Sequence, residues 1–339
     1  MSYTPLFQLT HSMMRLMAET SELIGNWTAV NDHDLLPKIR RENRIRTIQA
    51  SLAIEQNTLT LEQVTAVIEG KPVLGDQKEI QEVHNALAAY ADMPNWNKAK
   101  SNDVLKAHRI LMMGLLNDAG HWRSGGAGIY RGDQLVHMAP PASQVPRLME
   151  QLLTWLDTTD AHPLIASAVF HYEFEFIHPF SDGNGRMGRL WQTLILSDWQ
   201  PLLAYLPVET VIKSHQEEYY QAFREADIKT DCSNFIEFLL QALATSLKEA
   251  MNNSTQTQHD NESKARVEMK VETRVEVKVK TPDRILTLLS KDGSLTQAEV
   301  AKELSLSKST VERTIAKLKK EGLLTYIGPK KGGYWQVVE

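Results

Sequence analysis

The first 250 residues carry a helical rhythm. Apolar side chains recur three and four residues apart in Ile45, Ile48 and Leu52, and again in Leu148, Leu152, Trp155 and Leu156. That spacing places them on one face of a helix. Thr60-Leu-Glu-Gln63 has the form of a capping box that opens a helix through Ile68, with Gly70 as its stop. Pro163 suits the first turn of a helix running to about Phe176, and Pro179 forbids its simple continuation. A new amphipathic run starts near Arg186, with Met187, Leu190, Trp191, Leu194 and Ile195, so Gly183 and Gly185 fall in a loop between two helices. The glycine-rich stretch from Gly125 to Pro141, which includes Gly132, holds the alternation Leu135-Val-His137-Met138. It predicts a loop with a short β-hairpin, or flap.

The pattern changes after residue 250. Residues 251–265 are polar and nearly free of apolar side chains, which predicts a linker. Strict alternation follows in Val267, Met269, Val271, Val275, Val277 and Val279. Period two argues for one or two β-strands, with an extended linker as the alternative. From Thr281 the chain predicts three short helices. Thr281 caps the first, Thr296-Gln-Ala-Glu299 is a second capping box, and Ser307 caps the third. Leu323–Ile327 and Tyr334–Val338 then read as a hairpin around Gly328-Pro-Lys-Lys-Gly-Gly333. Three helices and a hairpin in so short a span make a winged helix-turn-helix. The expected fold is mainly α, in four parts: an N-terminal helical region over 1–100, a core over 101–250, a linker with candidate strands over 251–280, and the winged helix over 281–339.

Composition narrows the function classes. The chain has 339 residues, 42% of them hydrophobic, enough for about two domains at ~150 residues each. Its net charge is −5, so any nucleic-acid surface must be local. A single cysteine, Cys232, rules out a disulfide within the chain. The first twenty residues lack the basic and apolar regions of a secretory signal, and no apolar run approaches the ~20 residues that span a bilayer. The expectation is a soluble cytoplasmic protein with no membrane partner.

The candidate chemistry lies in His178-Pro-Phe-Ser-Asp182-Gly-Asn-Gly-Arg186-Met-Gly-Arg189. Successive N–H groups of a Gly183-Asn184-Gly185 loop can curl into an anion-binding nest, and the following helix adds its N-terminal donors. Asp182 beside bound phosphates suits Mg²⁺, which prefers oxygen ligands shared with phosphate. Arg186 and Arg189 are three residues apart, so both lie on one helical face and can reach phosphate oxygens. His178 precedes the nest, where its ring could take a proton from an attacking hydroxyl. His171 with Glu173 and Glu175 offers a weaker metal reading, because their spacing fits no simple ligand face.

This segment resembles the signature of the Fic family, His-Pro-Phe-x-Asp/Glu-Gly-Asn-Gly/Lys-Arg-x-x-Arg, at every defined position. The resemblance extends from about residue 35 to 245 and implies a helical Fic core with a β-hairpin flap. It implies transfer of AMP from ATP to a Ser, Thr or Tyr hydroxyl of a protein, the chain itself included. His178 would be the base and Asp182 the Mg²⁺ ligand. Gly183, Asn184, Gly185 and Arg186 would cradle the phosphates and Arg189 would grip the γ-phosphate. Tyr220 would belong to the ATP site, and His137 and Met138 to the flap that docks the target as an added strand. Upstream, Ser51-Leu-Ala-Ile-Glu55-Gln-Asn57 is similar to the family's inhibitory motif, Ser/Thr-x-x-x-Glu-Gly/Asn. There Glu55, with Ser51, would pair with Arg189 and exclude the γ-phosphate. Gln56 departs from the motif, standing where glycine is common. If this inhibition is tied to assembly, the chain is a homodimer.

The C-terminal module carries Lys308, Arg313, Lys317, Lys319 and Lys320 on its third helix, and Lys330 and Lys331 at the wing tip. A basic helix with a basic wing is the footprint expected for DNA, although Glu312 and Glu321 interrupt it and winged helices also bind proteins. Three functional readings stand at this point. The leading one is an autoinhibited adenylyltransferase acting on an unidentified target protein. The others are a Fic enzyme with another donor or with AMP-removing activity, and a DNA-binding regulator whose Fic fold senses nucleotide.

Overall fold

A computed structural model describes residues 3–30, 36–131, 134–272, 281–329 and 333–337. The chain divides into two compact units, Met1–Thr257 and Gln258–Glu339. In the first unit the helices are α1 (His11–Val30), α2 (Leu36–Ile54), α3 (Leu61–Ile68), α4 (Gln77–Asp92) and α5 (Ser101–Leu111). The hairpin of β1 (Gly128–Arg131) and β2 (Gln134–Met138) follows, then α6 (Val145–Thr158), α7 (Pro163–Ile177), α8 (Asn184–Trp199), α9 (Val208–Ser214), α10 (Gln216–Lys229) and the start of α11 (Ser233–Glu272), a helix that runs past Thr257.

The helix borders follow the sequence signals. The Thr60 hydroxyl accepts from the Gln63 N–H and the Gln63 side chain accepts from the Thr60 N–H, closing the capping box at α3. Gly70 adopts φ +69° two residues past the helix. The His162 ring accepts from the Leu164 N–H, and Pro163 fills the first turn of α7, where no N–H is needed.

Helix α7 organises the unit. It is apolar around most of its circumference, so only a central position satisfies it. Ala166, Phe170 and Phe174 face a core built with α2 to α6. Leu164, Ile165, Val169 and Tyr172 face a second core shared with α1 and α9 to α11. Helix α8 packs closely on α7 because Gly188 has no side chain: a Cβ there would sit 2.9 Å from Glu175 Oε1 and 3.1 Å from the His171 ring. The α7–α8 junction therefore lies between the two cores, and the signature lies in that junction. The segments expected as 1–100 and 101–250 pack into this one unit.

The flap is an antiparallel hairpin pairing Gly128 with Met138 and Ile129 with His137, with a register shift between Ile129 and Tyr130. Gly132 lies outside the described residues.

The strand expected at Val267–Val271 is helix instead, because α11 runs to Glu272. Extending an existing helix avoids the cost of nucleation. Glu268, Met269, Lys270 and Glu272 are good helix formers, which outweighs a local period of two. The linker expected from residue 251 is likewise helical to Glu272, while Val275, Val277 and Val279 lie outside the described residues.

The second unit holds α12 (Thr281–Lys291), α13 (Gln297–Glu303), α14 (Lys308–Lys320) and the antiparallel pair β3 (Leu324–Ile327) and β4 (Tyr334–Val337). Thr296 and Glu299 close the expected capping box, and the Ser307 hydroxyl accepts from the Thr310 N–H. Ile285, Leu289, Val300, Val311, Ile315, Leu318 and Trp335 form its core. This is the expected winged helix. Among the described residues no helix is long and apolar enough to cross a membrane.

Candidate active site

Helix α7 ends at Ile177 because His178 turns into the left-handed region, φ +49° and ψ +62°, while its N–H still bonds to the Phe174 carbonyl at 2.9 Å. A residue with a Cβ pays of order 1–3 kcal/mol for such a backbone, so other contacts must hold it. Arg123 supplies them. It is 4% exposed. Its Nε donates to the His178 carbonyl at 2.7 Å, Nη1 to Gly125 at 2.7 Å, and Nη2 to Pro140 at 2.5 Å and Ile177 at 3.3 Å. One guanidinium thus ties the helix end to both sides of the flap.

The loop beyond is braced from within. Asn184 Oδ1 accepts from the Phe180 N–H and its Nδ2 donates to the Phe180 carbonyl, both at 2.9 Å. Gly183 sits at φ +82°, where a Cβ would lie 2.7 Å from Met112 Sδ. The His108 ring stacks on Phe180 with centroids 3.6 Å apart. Its Nδ1 accepts from the Gly120 N–H, so the proton is on Nε2, which bonds to the Asp182 carbonyl at 3.0 Å. Burial keeps this ring neutral, lowering it to about 4.

His178 is half-buried, and its Nδ1 faces the Glu175 carbonyl at 3.4 Å and the Glu175 carboxyl at 3.9 Å. Nδ1 thus carries the proton, and the Nε2 lone pair is left to act as a base. Burial lowers the ring to about 4, the Glu175 carbonyl works against this, and the Arg123 charge assists it. The ring is therefore uncharged at neutral pH.

Arg189 is 2% exposed. Its Nε donates to the Ser51 hydroxyl at 3.0 Å, and its Nη2 donates to the Ser51 carbonyl at 3.0 Å and to Glu55 Oε1 at 2.7 Å. Burial works against the Arg189 charge, and the Glu55 carboxylate more than restores it. A Cβ on Gly185 would lie 2.2 Å from Glu55 Oε1, so the carboxylate rests on the first turn of α8. This is where a helix N-terminus attracts anions.

The motif's departure at Gln56 is absorbed by the backbone. Gln56 takes φ +71°, the conformation glycine favours, and the Asn57 N–H closes the turn on the Leu52 carbonyl at 3.1 Å.

A cavity of about 180 Å³ is lined by Glu55, Glu175, His178, Gly185, Arg189 and Tyr220, among others. It is smaller than the ~300 Å³ at the low end of ligand pockets, and Glu55 forms part of its wall. Glu175 is 5% exposed, and its Oε1 has no hydrogen-bond partner among the described residues. Burial, aided by the Glu55 carboxylate and opposed by Arg189, raises it to about 8.

The other predicted residues divide. Asp182 Oδ1 accepts from the Gly183 N–H at 2.6 Å and from Arg186 Nη2 at 3.3 Å, and the side chain is 51% exposed. Arg186 is outside the cavity lining among the described residues, and its Nη1 donates to Glu82 at 3.2 Å. Met138 is exposed, but His137 is buried, with Nδ1 3.0 Å from Asp227 and Nε2 2.9 Å from the Phe176 carbonyl. The His137 ring therefore anchors β2 to α7 and α10, and the flap's outward contacts fall to other groups.

His171 is wholly buried between Gln192 Oε1 at 2.7 Å and the Tyr219 hydroxyl at 3.1 Å. No cluster of His, Cys, Asp and Glu suited to a metal occurs among the described residues. Arg123 and Glu82 escaped the sequence reading, and Glu175 entered it only in the weaker metal reading with His171 and Glu173. In the second unit Lys308, Arg313, Lys317, Lys319 and Lys320 stand exposed on α14, and Lys319 also lies over the Trp335 ring at 5.9 Å. Lys330 and Lys331 lie outside the described residues.

Comparison with known proteins agrees with this geometry. Residues 98–196 match the Fic/DOC family and residues 283–325 match the winged helix-turn-helix DNA-binding family. The protein adenylyltransferase Fic of Aedes aegypti is 28% identical over 247 residues, covering 68% of this chain and 47% of that protein. The Culex quinquefasciatus counterpart is 28% identical over 238 residues, covering 66% and 45%. The chain spans about half the length of these relatives. Fic-1 of C. elegans, residues 134–508, shares the fold at a TM-score of 0.61 and 22% identity, covering 72% of this chain and 73% of that one. A Fic family protein from Desulfovibrio desulfuricans G20, known from its crystal structure, is 46% identical with a TM-score of 0.72, over 99% of this chain and 98% of that one. With the signature, the fold and a relative of this similarity along almost its whole length, the chain belongs to the Fic family.

Proposed function

We propose that this chain is a protein adenylyltransferase held in an autoinhibited state by Glu55. The observation that carries the proposal is the 2.7 Å pair between Glu55 and buried Arg189, seated on the N-terminal turn of α8 beside His178. An internal carboxylate occupies the anion seat that a terminal phosphate of ATP would need. Removing it frees an arginine and a helix N-terminus that together suit a triphosphate.

In the released state a target Ser, Thr or Tyr hydroxyl attacks the α-phosphorus of ATP. Its oxygen forms the new P–O bond, the α–β bridge breaks, pyrophosphate leaves, and the hydroxyl proton passes to His178 Nε2. Gly183, Asn184 and Gly185 offer backbone donors to the phosphates and Arg189 binds the γ-phosphate. Tyr220, in the cavity wall, contacts the nucleotide. A lone half-exposed carboxylate fits Mg²⁺, which binds through one or two carboxylates plus substrate phosphates. Asp182 would hold it, and the ion would neutralise phosphate charge. A two-stranded flap leaves one edge of each strand unpaired, so a target segment can add as a strand beside Met138.

The test is incubation of the full chain with labelled ATP and Mg²⁺, followed by mass spectrometry. Glu55→Gly should raise self-modification by AMP on the order of tenfold or more. His178→Ala in that background should abolish it while ATP still binds. An adduct other than AMP would favour a different donor, and no adduct from Glu55→Gly would overturn the proposal.

The exposed basic face of α14, on a module matching a DNA-binding family, supports a second reading for residues 281–339: they bind duplex DNA. A gel shift with the full chain should weaken steeply with salt and weaken further in Arg313→Ala. No shift at low salt would favour a protein partner.

A further inference from the structure

The inhibitory segment reaches the catalytic loop by a second route, one that bypasses Arg189. Asn57, two residues after Glu55, is 8% exposed and bonded on every side. Its Oδ1 accepts from the Leu59 N–H at 3.1 Å, and its Nδ2 donates to the Glu79 carbonyl at 3.2 Å and to Glu82 Oε2 at 2.8 Å. The second oxygen of Glu82 accepts from Arg186 Nη1 at 3.2 Å. Arg186 in turn reaches Asp182 Oδ1 with Nη2 at 3.3 Å. The central pair is largely withdrawn from solvent, with Arg186 buried at 6% and the Glu82 side chain 11% exposed. Neither can exchange its partner for water at low cost.

We propose that Glu82 is a positioning residue whose carboxylate holds Arg186 with one oxygen and, through Asn57, the turn behind Glu55 with the other. The proposal rests on the inhibitory reading of Glu55.

The turn needs an external hold. Gln56 sits at φ +71°, a conformation disfavoured for a residue with a Cβ. The Asn57 bonds keep that turn closed and the Glu55 carboxylate within reach of Arg189. Inhibition is a population balance between docked and undocked Glu55. Loosening the turn gives the undocked state more freedom and shifts the balance toward nucleotide. The coupling must also run backwards. Arg186 has a buried Nε with no partner among the described residues, so Glu82 and Asp182 fix its orientation. A ligand that draws Asp182 or Arg186 toward phosphate pulls on Glu82, and so on Asn57.

The experiment compares full-length variants by self-modification with labelled ATP and by calorimetric ATP binding. Asn57→Ala should raise AMP transfer on the order of tenfold. Asn57→Asp, which sets a carboxylate against Glu82, should raise it further. Neither should add to the rate of Glu55→Gly, because both act through Glu55. Glu82→Gln in the Glu55→Gly background should weaken ATP binding several-fold with little change in the thermal midpoint, a readout independent of catalysis. A raised Glu55→Gly beside an unchanged Asn57→Ala and Asn57→Asp overturns this coupling alone. So does an Asn57 gain that persists in the Glu55→Gly background, or unaltered ATP binding in Glu82→Gln. A flat Glu55→Gly overturns the inhibitory reading, and this one with it.

Discussion

Arg123 and Arg189 are both almost wholly buried, yet their surroundings differ in kind. Arg123 is held by four backbone carbonyls, from Gly125, Pro140, Ile177 and His178. Arg189 is held by Ser51 and by the carboxylate of Glu55, a side chain that is 34% exposed. Carbonyls fixed in the backbone cannot leave, so the first arginine builds the site. A side-chain carboxylate reached by solvent can be displaced by another anion, so under the proposed function the second arginine is the point at which the site is regulated. Burial alone does not separate scaffold from switch; what separates them is whether the partner can move.

The sharpest way to break this contrast is to remove the scaffold arginine. Arg123→Met keeps the aliphatic stem but strands four carbonyls, two of them flanking the base. Losing charged hydrogen bonds to buried groups should cost about 3–5 kcal/mol, measured by urea denaturation. Transfer should be lost even in the Glu55→Gly background, because the guanidinium that grips the His178 and Ile177 carbonyls and so steadies φ +49° is then gone. A variant that stays stable and active with Glu55→Gly would show that Arg123 is dispensable and would erase the distinction.

A smaller effect probes the region of Arg189. Glu175 is raised to about 8, against an ordinary 4.5, by burial and by Glu55. Between those values the folded chain holds a proton that the unfolded chain has lost, so stability falls as pH rises. His108, lowered to about 4, acts oppositely, but only below its ordinary 6.5. His178 shows the same shift. Glu209, raised to about 7 by burial, also contributes, up to that value. The difference between wild type and Glu175→Gln isolates Glu175. Wild type should lose about 2 kcal/mol more than the variant between pH 6.5 and 8, read from denaturation at several pH values. Equal slopes would mean that Glu175 is already ionised, and that the cavity beside Arg189 carries more negative charge than its geometry indicates.

Much of this architecture was legible in the sequence because it rests on local rules. The helical spacing, the capping boxes at Thr60 and Thr296, the stop at Pro179 and the contiguous signature each need only neighbouring residues. The Glu55–Arg189 pair was legible only through resemblance, since 134 positions separate its members. Arg123 was not legible, because an isolated arginine in a glycine-rich stretch reads as solvated. Its role appears only when carbonyls from Gly125, Pro140 and the end of α7 converge on it. Glu82 was hidden for the same reason, as were the side-chain bonds of Asn57 beyond its place beside the inhibitory motif. His137 was misjudged because alternation along a strand shows which residues share a face but not which face turns inward. The helix through Val267 and Val271 shows the opposite failure, where a clear local period lost to continuation of a helix already formed.

The finest test concerns the turn that sets Glu55 against Arg189. Gln56 takes a left-handed backbone, costing roughly 1–2 kcal/mol for a side chain with a Cβ. Glycine removes that cost but adds about 0.5–1 kcal/mol of freedom to be lost on ordering. The strain is the larger quantity, so Gln56→Gly should favour the docked turn by about 0.5–1 kcal/mol. Basal transfer should fall roughly two- to fivefold at that energy, while the thermal midpoint rises slightly. Arg123 should be indifferent to the change, because none of its four carbonyls belongs to this turn. In the Glu55→Gly background the same substitution should leave transfer unchanged. If Gln56→Gly instead raised transfer, the left-handed turn would be a source of strain that holds Glu55 in place, and the displaceable partner of Arg189 would be set by the chain around it more than by its charge.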